Sequence, residues 1–85
     1  MRTILLDGSR YNSAHQLHSA LKRLLDFPDY YGMNADALND CLSEKTEPVH
    51  LWIASYGEGE TASAMKKIAA VILDNGGTVK ELMLR

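Results

Sequence analysis

"PVHLWIASY", residues 48–56, decides how this chain folds. Val49, Leu51 and Ile53 alternate with His50 and Trp52, the period of two that marks a β-strand, and Pro48 stands where such a strand can begin. Upstream, "TILLD" at 3–7 is a short apolar run closed by the turn signal Asp7-Gly8 and reads as a buried strand. Downstream, "TVKELMLR" at 78–85 reads as the last strand, so strands are expected near 3–7, 49–54 and 79–84.

The segments between these strands are long enough for helices. "SAHQLHSALKRLLDF", 13–27, carries Ala14, Leu17, Leu21, Leu24 and Leu25 at helical spacing; Ser13 and Gln16 form a capping box, Pro28 stops the helix, and His15 and His18 fall on its solvated side. Asn34 caps a second helix running through Ser43, with Leu38, Cys41 and Leu42 on one face and Asp36, Asn39, Asp40 and Ser43 on the other. Thr61 caps a third, whose Met65, Ile68, Ala69 and Ile72 share a stripe and which Asn75-Gly76-Gly77 ends. The order strand, helix, helix, strand, helix, strand favours parallel strands joined by right-handed crossovers, because parallel neighbours need a connection of about a dozen residues or more. The expected fold is α/β, a three-stranded parallel sheet packed with helices, with Leu17, Leu21, Leu38, Leu42, Leu51, Ile53, Ile68 and Ile72 in the core.

With 85 residues and no linker or repeat, the chain reads as one domain, 1–85, of a size that buries about 60% of its unfolded surface. Its 46% hydrophobic and 24% charged content is that of an ordinary globular protein. A single cysteine, Cys41, allows no intramolecular disulfide and no metal quartet, so a reducing, cytoplasmic setting is expected. The apolar run Ile4-Leu5-Leu6 is far shorter than a signal peptide's core or a membrane span.

Net charge is only −2, but it is unevenly placed: residues 26–60 hold eight acids against Lys45, a balance of −7, and the remainder of the chain sums to +5. Such an acidic block repels nucleic acid and attracts a basic partner.

Enzymatic chemistry needs a convergent set, and none is apparent. His15, His18 and His50 with Asp36 or Asp40 match no metal-ligand spacing; Cys41 lies on an apolar helix face; Gly57-x-Gly59 is flanked by Glu58 and Glu60, which would repel phosphate, and it reads, like Gly76-Gly77, as a turn. No cofactor or metal is implied. The acidic helix, in contrast, has a local cost. Asp36 and Asp40 are like charges at i, i+4, unfavourable by a few tenths of a kcal/mol, roughly. Tyr30, Tyr31 and Gly32 stand just before that helix, and aromatic area beside anionic groups is the chemistry of a binding surface, although at least one of the two tyrosines is expected to pack inward.

"DFPDYYGMNADALNDCL", 26–42, resembles the signature of the barstar family of ribonuclease inhibitors, in which a hydrophobic-Pro-acid-Tyr-Tyr-Gly segment leads into an Asn-x-Asp-Ala-Leu-x-Asp helix. The remaining elements follow in the family's order. The resemblance implies an intracellular inhibitor, monomeric when free, that plugs the active site of a small basic ribonuclease in a 1:1 complex, with no direct contact to nucleic acid or membrane. It assigns Asp40 the place of the substrate phosphate and Asp36 a neighbouring cation, while Tyr30, Gly32 and Asn34 line the loop that closes over the cleft. The candidate partner-binding set is Tyr30, Tyr31, Gly32, Asn34, Asp36, Asn39, Asp40 and Ser43. The alternative is an interaction module of the same fold with a target other than a ribonuclease. The chain departs from the family where Asn39 replaces a tryptophan and Met33 an acid, and where Ile72, with Asp74 nearby, stands at the place of a further partner-facing glutamate.

Overall fold

The computed structural model describes residues 2–45 and 47–82. Its elements are β1 (Arg2–Asp7), α1 (Ala14–Leu24), α2 (Ala35–Ser43), β2 (Val49–Ser55), α3 (Gly59–Asp74) and β3 (Thr78–Glu81), with one 3₁₀ turn over Gly8–Arg10. The three strands form one sheet in the order β1-β2-β3, and both pairings are parallel. The α/β fold expected from the sequence is the fold observed; of the last strand as expected, residues 83 and 84 lie outside the described residues.

The alternation around residue 50 explains which side of the sheet the helices cover. Ile4, Leu51 and Val79 pair across the sheet and face the helices, as do Leu6 and Ile53. The intervening row, Leu5, Trp52 and Lys80, faces away from them: Leu5 is 55% exposed, Trp52 is half-buried, and the Lys80 ammonium sits 5.4 Å from the Trp52 ring centre. "TILLD" is therefore buried on one face only, a correction that follows from the helices lying on one side of the sheet.

Local chemistry sets the ends of α1. Ser13 Oγ accepts the Gln16 N–H at 3.2 Å, while the Gln16 side chain reaches the Asn12 N–H at 2.7 Å, one residue beyond the usual capping box. A third acceptor comes from α3: Glu60 Oε2 takes the Ala14 N–H at 2.8 Å, joining the first turns of two helices. At the other end Pro28 is not what stops α1. The helix closes at Leu24 because Asp26 takes a left-handed φ of 55° and the Phe27 N–H returns to the Lys22 carbonyl at 2.9 Å, the bond of a Schellman ending.

α3 begins two residues before Thr61, with Glu58 in the cap position and no side-chain cap bond. Thr61 is 2% exposed, and its hydroxyl donates to the Tyr11 carbonyl at 3.2 Å, so it ties α3 to the chain after β1 instead of capping. Gly76-Gly77 ends α3 as read: Gly76 has φ 81°, the Gly77 N–H reaches the Ile72 carbonyl at 2.9 Å, and a Cβ on Gly77 would lie 2.3 Å from the Val49 carbonyl oxygen. All eight residues expected in the core are buried, and Phe27, Tyr31 and Met65 join them in one continuous cluster.

Candidate functional site

Asn34 organises the entry to α2. Its Oδ1 accepts the Ala37 N–H at 2.8 Å, and its Nδ2 donates back to the Gly32 carbonyl at 3.1 Å, so one side chain caps the helix and clips the preceding loop. A Cβ on Gly32 would lie 3.2 Å from the Ala37 Cβ, a tight contact that Ala37 would have to yield to slightly. Met33 takes a left-handed φ of 57°, a conformation that costs a non-glycine residue about 1–2 kcal/mol. Its half-buried side chain packs on the core, and this contact together with the Asn34 bonds holds the strained turn.

Below this loop lies a buried polar pair. Tyr31 is 5% exposed, its ring 4.8 Å from that of Phe27, and its hydroxyl is 2.7 Å from His18 Nδ1. Two sequence readings are corrected here. His18 is on the packed side of α1, because Ala14, His18, Leu21 and Leu25 recur at helical spacing; only His15 of the pair is exposed. Tyr31 drops out of the solvent-facing set, being the inward tyrosine of the two. Burial pushes the His18 pKa down, with a smaller contribution from His15, and pushes the Tyr31 pKa up, so both are neutral at ordinary pH and bond as neutral partners.

Above the loop, Tyr30 is 83% exposed. Gly32, Asn34, Asp36, Asn39, Asp40 and Ser43 are also exposed, so apart from Tyr31 the candidate residues form one solvent-facing tract along the loop and α2. Leu38 and Leu42 anchor the opposite face. The tract includes one residue that sequence reasoning left out. Glu44, the C-cap, continues Asp36 and Asp40 at the same i, i+4 spacing, so three carboxylates stand on successive turns.

Among the described residues none of these three carboxylates has a hydrogen-bonding or ionic partner, and no basic residue stands in the last turn of α2, where the helix dipole would favour one. Their negative field reaches Cys41: burial raises its thiol pKa, and Glu44 and Asp40 raise it further. A protonated, half-buried thiol packed on the core is a poor nucleophile. Among the described residues no three of His, Cys, Asp and Glu gather as metal ligands, and no helix is long and apolar enough to cross a membrane.

A second missed residue joins this face to α3. Asn75, the C-cap of α3, donates its side-chain amide to Asn39 Oδ1 at 2.9 Å and to the Val71 carbonyl at 2.9 Å. No spacing rule links positions 39 and 75, so only the packing of α2 against α3 could reveal the pair. On the loop side, an open groove brings Met33, Asn34 and Asp36 alongside Glu60 and Lys67 of α3.

The sequence is also similar to known proteins. The family model described as "Barstar (barnase inhibitor)" matches residues 1–80. A curated protein of Bacillus subtilis (strain 168), named "Putative ribonuclease inhibitor YrdF", is 56% identical over 43 residues. That alignment spans 51% of this chain and 47% of the relative, so the match covers about half the length of each.

Proposed function

This chain belongs to the barstar family, and from that premise we propose that it is a non-enzymatic, cytoplasmic inhibitor that binds the active site of a small basic ribonuclease one to one and protects the bacterial cell that makes it. α2 and the loop before it form the contact. Asp40 takes the position of a substrate phosphate among the enzyme's cations, Asp36 meets a neighbouring cation, and Tyr30 supplies the exposed aromatic area of an interface anchor. The observation that carries this reading is the tract of carboxylates without a partner among the described residues, beside an 83% exposed tyrosine, on a helix whose opposite face buries Leu38 and Leu42 in the core. Folding does not call for those charges, and a cationic cleft does. The same field disfavours RNA as the ligand, since phosphates and carboxylates repel.

The test is to titrate the protein into a panel of small secreted bacterial ribonucleases, barnase included, while following RNA cleavage. Loss of activity that is complete at one equivalent supports the reading. Unchanged cleavage across the panel at a large excess of protein would leave the fold with a target other than a ribonuclease.

A further inference from the structure

The Asn75 bonds settle which way the Asn39 amide points. The Val71 carbonyl is only an acceptor, so the Asn75 branch 2.9 Å from it must be the NH2 group, and the second hydrogen of that group goes to Asn39. Asn39 must receive it through Oδ1, which leaves its own NH2 group on the solvent side, where it finds no acceptor among the described residues. The exposed face of α2 therefore presents two kinds of group. Asp36 and Asp40 only accept, whereas Asn39, on the α3 flank of the same face, is held as a donor.

We propose that Asn39 is a specificity-determining residue of this face, that Asn75 is the positioning residue fixing its amide, and that the partner carries a hydrogen-bond acceptor, a main-chain carbonyl or a carboxylate, beside the cations that meet Asp36 and Asp40. The proposal rests on the inhibitor reading above and narrows its partner. A wholly cationic surface fits the two aspartates but leaves the Asn39 donor buried and unsatisfied on binding, a costly arrangement.

Asn39→Asp separates this from simple charge attraction. The aspartate still accepts from Asn75 but turns an acceptor outward, so the pinned-donor account expects weaker inhibition, by about tenfold or more, whereas net charge alone expects tighter binding to a basic enzyme. The measurement is the inhibition constant of parent, Asn39→Asp, Asn75→Ala, Asn39→Ala and the double alanine variant against the panel ribonuclease that the parent inhibits most tightly. Asn75→Ala is expected to weaken inhibition about threefold in the parent and to change nothing once residue 39 is alanine, because its action runs through the amide. Equal or tighter inhibition by Asn39→Asp, or an equal effect of Asn75→Ala in both backgrounds, overturns the proposal while the inhibitor reading stands. A parent that inhibits no member of the panel removes that reading and the proposal with it.

Discussion

Carboxylates around the start of the chain and carboxylates on α2 are used in opposite ways. Asp7 accepts from the Ser9 N–H at 3.0 Å and the Ser9 hydroxyl at 2.6 Å, and these bonds hold its pKa below the usual carboxylate range. Glu60 caps α1 from across the molecule. Both of these negative charges complete a turn or a helix end. On α2, Asp36, Asp40 and Glu44 stand on successive turns without a partner among the described residues, two of them toward the end of the helix where the dipole is unfavourable. Where a charge serves the fold, the fold supplies its donors; the α2 charges have none among the described residues, and the proposed contact with a basic partner would supply them.

The largest effect should come from the face of α2 that does belong to the fold. Leu38 is fully buried, and Leu38→Ala is expected to lower stability by about 2–5 kcal/mol in denaturant unfolding. Asp40→Ala should do the reverse of a core change, weakening inhibition by about 2 kcal/mol or more while leaving the midpoint of unfolding unchanged or slightly raised. Loss of folding in that variant would place Asp40 with the structural carboxylates instead.

The buried pair beneath the loop has a pH signature. Burial lowers the His18 pKa in the folded protein, so below about pH 6.5 the unfolded chain takes up the proton first. Stability is thus complete above that pH and falls as pH drops toward the lowered value, with a slope of at most about 1.4 kcal/mol per unit. Thermal unfolding between pH 5 and 8 should show this slope in the parent and lose it in His18→Gln. Glu60→Ala removes the acceptor of the Ala14 N–H and should cost about 1 kcal/mol of stability, by the same unfolding measurement, with a much smaller effect on inhibition than Asp40→Ala.

The strand pattern, the helix stripes and the second helix's cap were all readable along the chain, because each depends on residues within one or two turns of one another. Val49, Leu51 and Ile53 face the helices as their alternation requires, and Asn34 caps α2. The misreadings share a different cause. Thr61 reads as a cap, but its hydroxyl goes to Tyr11, 50 residues away in sequence; His18 reads as solvated, but it meets Tyr31. Asn75 reaches Asn39 across 36 residues. Each of these polar side chains is satisfied by a partner that only the assembled layers bring near, and no local period encodes such a partner. Glu44 is the exception, since its i+4 relation to Asp40 lay in the sequence and was visible there.

Glu44 also allows the smallest and sharpest test of the contrast between the two regions. In Glu44→Lys the new ammonium stands at the C-terminal end of α2, where the dipole favours a cation, and four residues after Asp40, the favourable orientation for an acid–base pair. Repulsion between residues 40 and 44 becomes attraction. On these grounds the isolated protein should gain about 0.5 kcal/mol, and the Cys41 thiol should titrate at lower pH as one of the negative charges raising it disappears. Association should move the other way. Two units of charge are removed from the face that steers a basic partner, so the association rate at low salt should fall and its decline with added salt should flatten, as exposed charges are screened beyond about 10 Å at 0.1 M. The checks are a chemical denaturation curve and stopped-flow association with an inhibited ribonuclease at several salt concentrations. A variant that is both more stable and slower to associate would show one charge opposing the fold while serving the contact; a less stable variant would mean that Glu44 has a structural task like those of Asp7 and Glu60.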